Sequence, residues 1–398
     1  MKFIQMTIFM CLGLFISSCQ TNGKPEPLIT TNGVVFTPKD FYPKFSWETV
    51  PTYMMFADND RLLKGSEVKK ISAETGFICI EKNHGLSTLG DAVLGLKHEG
   101  QVFKKEQEGT VVLGYLNGAL TYPFTRYTKM LTPEKIEQYP EMKAYLVKDP
   151  KTGELARTRG LYGYNVLNPA TRKWWSDSAA DMVRVSGADG IFIDQMHGFS
   201  WLHPSEKRSE VVDGVADMMA QLKAKIGPNK ILLANNGAHI EKVFAVSDAF
   251  MFEHYKRKVT HSKEQLLRDW ALMEKIADAG KICIYRFGAS PDKGSPLAEV
   301  KNKSTKHDEF AALSKKQIEL YLSFYLIGAQ PYSYFQWNWG WNLSTGPLEH
   351  YPELHKPLGK PLAKYKRTYA DKWEFTREFE HASVWVDTDK YEAKITWK

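Results

Sequence analysis

Eight short apolar runs, each ending abruptly in polar residues, constrain this chain more than any other feature of it. They are 52–58 (TYMMFAD), 77–84 (FICIEKNH), 111–117 (VVLGYLN), 188–195 (ADGIFIDQ), 230–236 (KILLANN), 248–255 (DAFMFEHY), 281–287 (KICIYRF) and 331–337 (PYSYFQW). Continuous apolar runs of this length read as strands buried on both faces, as in a parallel sheet. Between the later runs lie segments with apolar residues at helical spacing: 169–186, 205–225, 261–279 and 306–327. The first of these opens with an Asn168 cap and Pro169 at the first helical position. Strand–helix alternation carried to eight strands predicts an α/β fold, a closed (β/α)8 TIM barrel. An open doubly wound sheet would show a Gly-rich phosphate turn after its first strand. Asp58-Asn59-Asp60-Arg61 is not one.

The spacing of the runs is uneven. Between the third and fourth strands the chain is far longer than one crossover requires. It holds the aromatic stretch 120–127 and a hairpin signature, Asp149-Pro150-Lys151-Thr152-Gly153, and reads as an insertion over the barrel mouth. After the eighth strand come a Pro-rich link, the run 373–379 and the alternating stretch 381–397. Val384, Val386, Ile395 and Trp397 fall on two short strands joined near Asp387-Thr388-Asp389. This small β appendage is too short to fold alone and should pack on the barrel. The expected organisation is a signal peptide (1–18), a tether and N-terminal extension (19–49), the barrel (50–345) and the appendage (346–398).

Residues 3–16 are largely apolar and run into Ile16-Ser17-Ser18-Cys19. The run is too short to span a membrane and has the form of a secretory signal. A Cys after small residues resembles the lipobox of bacterial lipoproteins, which implies lipidation of Cys19, a membrane anchor and a place in the bacterial cell envelope. An ordinary signal peptide with an incidental Cys is the alternative. About 380 residues then remain, enough for one large α/β domain with insertions. The net charge of +7 is mild and the two signs alternate along the chain, so no nucleic-acid footprint is present. Cys79 and Cys283 lie inside apolar runs and read as buried thiols. A monomer is expected.

A barrel gathers its functional groups where its strands end, at the C-terminal face. The runs place there Asp58, Glu81, His84, Asn117, Asp194, His197, Asn235, Asn236, Glu253, His254, Tyr255, Arg286, Gln336 and Trp337. Asp194 ends GIFID and Glu253 ends AFMFE, carboxylates closing buried strands with no basic neighbour in sequence. Cleaving an acetal of the glycosidic kind needs one carboxylic acid to protonate the leaving oxygen. It needs a second, ionised carboxylate to attack the anomeric carbon or activate water. Strands four and six should hold their Cα atoms roughly 10 Å apart, and the carboxyls roughly 5–9 Å apart, a range covering both stereochemical outcomes. Met251-Phe252 gives Glu253 the more apolar setting. The reading is therefore Asp194 as nucleophile or base and Glu253 as general acid, with the reverse left open. No cofactor or metal is required by such a pair.

Trp337, Trp339 and Trp341 alternate at the mouth and offer ring faces for a sugar, with one of the three expected to pack on the appendage instead. Tyr122, Phe124 and Tyr164 are candidates for the opposite wall, while Trp174-Trp175 reads as core. Asn235 and Asn236 suit substrate hydroxyls or a turn. Arg286 suits an acidic sugar or a sulfate, or else sets the ionisation of the carboxylates.

The order DGIFID, ILLANNG, DAFMFEHY, then PLGKPL and FTREFEHASVWVD resembles the hypothetical glycosyl hydrolase-type barrel families of bacteria, over roughly residues 50–397. That resemblance implies a barrel, a carbohydrate substrate and Asp194 and Glu253 as the working carboxylates. The closing motif departs from the family pattern: Ala382-Ser383 replaces a Gly, and Asp387 stands where Asn is usual. Two other classes remain. A metal-dependent hydrolase could be built from His84, His197, His254, Asp194 and Glu253, but the His-x-His usual after the first strand is Ala57-Asp58-Asn59 here. A non-catalytic carbohydrate-binding lipoprotein on the same barrel is the second.

Overall fold

The computed structural model describes residues 27–253 and 262–398. Eight parallel strands form one sheet: β1 (Met54–Phe56), β2 (Phe77–Ile80), β3 (Val111–Asn117), β4 (Gly190–Asp194), β5 (Ile231–Asn235), β6 (Ala249–Glu253), β7 (Ile282–Phe287) and β8 (Ser333–Trp337). They pair in chain order. The last meets the first through a parallel bridge between Thr52 and Phe335, where Tyr53 N donates to Phe335 O at 3.0 Å and Phe335 N to Pro51 O at 2.8 Å. This is the barrel that the run pattern predicts. Around it lie α1 (Gly65–Glu74), α2 (Ala92–Glu106), α3 (Pro169–Ser186), α4 (Arg208–Ile226), α5 (Glu241–Val246), α6 (Lys263–Asp278) and α7 (His307–Gly328). No helix among the described residues is long and apolar enough to cross a membrane.

Alternation along the strands sorts their side chains into two cores. Met55, Cys79, Tyr115, Phe192, Leu233, Met251, Ile284 and Tyr334 fill the barrel interior. Their neighbours Phe56, Ile80, Leu116, Ile193, Ala234, Phe252, Tyr285 and Phe335 join a second core beneath the helices. Cys79 and Cys283 fall one in each core as buried free thiols.

Two aspartates fix the register of β4 and β6 in the same way. Asp189 N donates to Val112 O at 2.8 Å, and its carboxylate accepts from Val112 N at 2.9 Å and from Lys104 at 2.8 Å. Asp248 N donates to Leu232 O at 2.9 Å, and its carboxylate accepts from Leu232 N at 3.1 Å, Lys39 at 2.6 Å and Lys223 at 2.7 Å. The small residue after each lets the neighbouring strand close in: a Cβ on Gly190 would lie 2.1 Å from Ile231 O.

The N-terminal residues do more than extend the chain. Phe36 and Phe45 stack on Tyr332 at 4.6 and 5.0 Å, and Tyr42 donates to Gly280 O at 3.2 Å. They close the N-terminal end of the barrel. The insertion occupies 118–168, and its hairpin turns where Asp149 N donates to Glu154 O at 2.7 Å. Past β8 the chain forms an antiparallel sheet of β9 (Lys366–Arg367), β10 (Glu374–Glu378), β11 (Ala382–Asp387) and β12 (Glu392–Trp397). It packs on α7, as an appendage of this size must. The Arg377 guanidinium is buried and donates to Leu326 O at 2.9 Å, Ile327 O at 3.0 Å and Ala329 O at 2.6 Å. These carbonyls end α7 and have no helical partner of their own.

Replacing Asp248 by Ala removes a buried carboxylate that the Leu232 amide bonds and that pairs with Lys39 and Lys223. We expect a loss of about 3 kcal/mol of stability, read as a lower urea midpoint at unchanged slope.

Candidate active site

The period-2 pattern of the interior continues one step beyond the apolar plug. Two residues past Cys79, Tyr115, Phe192, Leu233, Met251, Ile284 and Tyr334 stand Glu81, Asn117, Asp194, Asn235, Glu253, Arg286 and Gln336. Seven of the eight strands thus contribute a polar side chain to one layer at the C-terminal end of the barrel. Each of those residues was expected from the run ends.

The layer is organised about Asn235. Its Nδ2 donates to Asp194 Oδ1 at 3.0 Å and to Glu253 Oε2 at 2.5 Å. The two bond lengths laid end to end bound the separation of those carboxylate oxygens at about 5.5 Å. Asp194 also accepts from Gln195 N at 2.8 Å, the Tyr115 hydroxyl at 2.9 Å and Asn117 Nδ2 at 3.4 Å. Donors therefore surround both of its oxygens. Tyr115 escaped the sequence reading, although its place two residues before Asn117 on the same strand face was the available signal. Asn117 is itself held: its Oδ1 accepts from Ala119 N at 2.9 Å and Leu120 N at 2.7 Å, and Trp175 Nε1 donates to its carbonyl at 3.0 Å.

Glu253 is in a different setting. Burial, then the charge of Asp194, push its carboxyl up to about 7, against the opposing pull of Arg286, Asn235 and Lys82. Arg286 is buried, and burial brings its guanidinium down to about 10, with Glu253 opposing. Arg286 Nε donates to Asn338 Oδ1 and Nη2 to Asn338 O, both at 3.1 Å, and its guanidinium lies 4.4 Å from the centre of the Trp341 ring. Lys82 is the second residue that sequence reasoning missed. Its ammonium pairs with Glu81 and sits 4.6 Å from the Tyr115 ring centre, and burial lowers its pKa against the charges of Asp194 and Glu253. A polar tail on an apolar run gave no sign that it would turn inward.

Lys82, Gln195 and Asn236 directly follow layer residues, and all three have positive φ, at 34°, 67° and 51°. Non-glycine residues in this conformation carry strain and concentrate at functional sites. Here the turn ends each strand sharply so that the preceding side chain stays inside the barrel. Asn236 is exposed, and its Oδ1 accepts from Glu253 N at 3.0 Å. It fixes the end of β6 from outside the layer. Two buried carbonyl oxygens, Asn235 Oδ1 and Gln336 Oε1, have no hydrogen-bond partner among the described residues.

Other sequence candidates lie elsewhere. Trp337 and Trp339 are buried, at 6% and 1% exposure, and present no ring face to a ligand. Strand alternation decides this: Gln336 points in, so Trp337 points out, 5.2 Å from Tyr321 of α7. Trp339 stacks on Phe310 of the same helix, so neither packs on the appendage. Trp341 is half-buried at the mouth. Tyr164 is core beside Trp174, whereas Tyr122 and Phe124 stack on each other at 5.4 Å. His84 is buried with both ring nitrogens engaged, by Asp58 N at 2.9 Å and Glu99 at 2.9 Å, so it supports the fold. Asp58 pairs with Arg61 at 2.8 Å at the rim, and burial raises its pKa. His197 is exposed beside His239. Cys19, His254 and Tyr255 lie outside the described residues.

No curated protein matches the chain. Among solved structures, the glycoside hydrolase domain of PelA from Pseudomonas aeruginosa is similar at a TM-score of 0.44 and 14% identity, over 67% of this chain and 91% of that one. Ega3 of Aspergillus fumigatus, solved with galactosamine, gives 0.36 and 14%, over 66% and 86%. The α-amylase of Geobacillus thermoleovorans, solved with acarbose, gives 0.46 and 12%, over 86% and 87%. The sequence model of hypothetical glycosyl hydrolase family 15 matches residues 104–383, well over half of the chain and every barrel strand from β3 to β8, and the protein belongs to that family of glycoside hydrolases.

Proposed function

We propose that this hydrolase cleaves its glycosidic bond by a two-carboxylate, retaining mechanism, with Asp194 as nucleophile and Glu253 as general acid and then base. The observation that carries this reading is the single Asn235 amide shared by the two carboxyls. An upper limit of about 5.5 Å between the two bonded oxygens favours the retaining separation over the roughly 6.5–9.5 Å that leaves room for an attacking water.

The roles follow from the surroundings. Asp194, ringed by donors, is set up to attack the anomeric carbon. Glu253, protonated below about 7, is set up to deliver a proton to the leaving oxygen. After the sugar is bound to Asp194, the ionised Glu253 takes a proton from water, which then hydrolyses the ester. Asn235 Oδ1 and Gln336 Oε1 are placed to accept from sugar hydroxyls. The apolar segment that ends at Cys19 supports a lipid-anchored enzyme in the bacterial cell envelope.

Three outcomes test the reading. Proton NMR of the first-formed sugar should show the anomer of the substrate; the opposite anomer sinks the retaining assignment. Asp194→Ala should lower kcat on the order of 10⁴-fold, and azide should restore turnover with a glycosyl azide of inverted configuration. Azide on Glu253→Ala should give the retained one, so exchanged products would exchange the roles. In wild type, kcat/KM should fall as pH rises through about 7, where Glu253 loses its proton, and this limb should vanish in Glu253→Gln.

The same group bears on stability. Its folded pKa lies above its unfolded one, so between the two only the folded chain holds the proton, and stability falls as pH rises through that window. Glu253→Gln should therefore be more stable than wild type at pH 8, by on the order of 1–3 kcal/mol, and the gain should shrink towards pH 4.5. Thermal melts at the two pH values check it.

A further inference from the structure

A groove of about 630 Å³ opens beside the carboxylate layer, between the loop after β7 and the loop after β8. Arg286 lies in both, forming part of the layer and part of the groove wall. Lys301 and Lys303 line the groove with it, and no carboxylate among the described residues does. Trp341 and Asn342 complete the side nearest the site.

The charges are arranged at a cost. Lys303 is held by Trp339 O at 2.7 Å, and its ammonium is disfavoured first by burial and then by the Arg286 charge. Arg286 Nε and Nη2 bond Asn338, which fixes the guanidinium in the groove wall. Three cations gathered on one wall give the groove a positive potential that favours an anion. A guanidinium matches a carboxylate or sulfate group in a planar, two-point contact, and an ammonium adds a point charge. The volume falls within the range of small-ligand sites.

We propose that the groove is a subsite for an anionic sugar residue of the substrate, a uronic acid or a sulfated sugar, placed next to the bond that Asp194 and Glu253 cleave. The subsite rests on the hydrolase reading only for the meaning of "next to the bond"; its charge preference stands on the groove itself. Arg286 couples the two. It faces Glu253 on one side and the groove on the other, so a bound anion would offset part of the field that it exerts on the general acid.

Binding of trigalacturonate, of a 6-O-sulfated galacto-oligosaccharide and of their uncharged counterparts to the full chain tests this by calorimetry at low and at 0.5 M salt. We expect at least one anionic probe to bind ten-fold or more tighter than its neutral counterpart, with salt eroding the difference. The two anionic arms separate carboxylate from sulfate. Lys301→Glu, an exposed change that leaves the fold and the carboxylate layer intact, should abolish most of the preference, and Lys303→Gln should weaken it. Equal or tighter binding of the neutral probes, or a preference untouched by Lys301→Glu, overturns the subsite. Cleavage of a neutral glycan with no charge preference would also overturn it while leaving the hydrolase reading standing. Anion-selective binding lost in Lys301→Glu, with no probe cleaved, upholds the groove and counts against the hydrolase reading instead.

Discussion

The two aspartates that open β4 and β6 hold the site together from the far end of the barrel. Asp189 and Asp248 each close a ring with the strand before them, through both backbone and side chain, and each is braced by lysine. Five residues later on each strand stand Asp194 and Glu253. A strand's side chains alternate, so a slip of one residue would turn either carboxylate out beneath the helices. The ionic bond at the bottom is what guarantees that it points into the barrel at the top. The shared form of the two strands, an aspartate, a small residue, three apolar residues and an acid, records one geometric requirement met twice.

The layer they reach costs stability. It brings together Glu81, Asp194, Glu253, Lys82 and Arg286 above a plug of apolar side chains, where water is scarce and each charge depends on its neighbours. The opposed signs keep the layer near balance, yet the settings of the two central carboxyls differ. One is surrounded by donors. The other is pressed towards its neutral form by burial and by the first. The proposed division into an acid and a nucleophile draws on this divergence of environment between two like groups.

Much of this was legible in the sequence because two periodicities carry it. Runs ending in polar residues gave the strands and the barrel, and the run ends gave the seven residues of the layer. The Trp337–Trp341 stretch misled because three alternating tryptophans look equivalent, while the inward position of Gln336 commits Trp337 to the helix side and α7 claims Trp339. His84 misled for a related reason: a polar residue past a strand end can be consumed by a buried partner, here Glu99, that lies on a helix. Lys82 and Tyr115 were missed because one depends on a left-handed turn and the other reads as ordinary core. Side-chain reach and backbone strain leave little trace in spacing.

The pieces outside the strand–helix repeat have a common structural task. β1 has three residues and meets β8 at few points, so the seam between first and last strands is the weakest line in the sheet. The residues before β1 run across the barrel floor and then pair with the link after β8: Leu358 N donates to Glu48 O at 2.9 Å and Gly359 N to Trp47 O at 2.8 Å. His381 N, at the edge of the appendage, donates to Leu358 O at 3.0 Å, and Arg377 fastens the appendage to the end of α7. Among the described residues, no α-helix follows β8 to cover that seam. N-terminal segment, link and appendage together form the brace that an eighth helix would otherwise supply. This also explains the REFE stretch of the closing motif: Arg377 takes the carbonyls of α7, Phe379 is buried, and Glu380 accepts from Lys360 N at 2.8 Å beside the Gly359 turn. The motif belongs to the barrel's closure, and the departures at Ala382, Ser383 and Asp387 lie on that brace, away from the carboxylates.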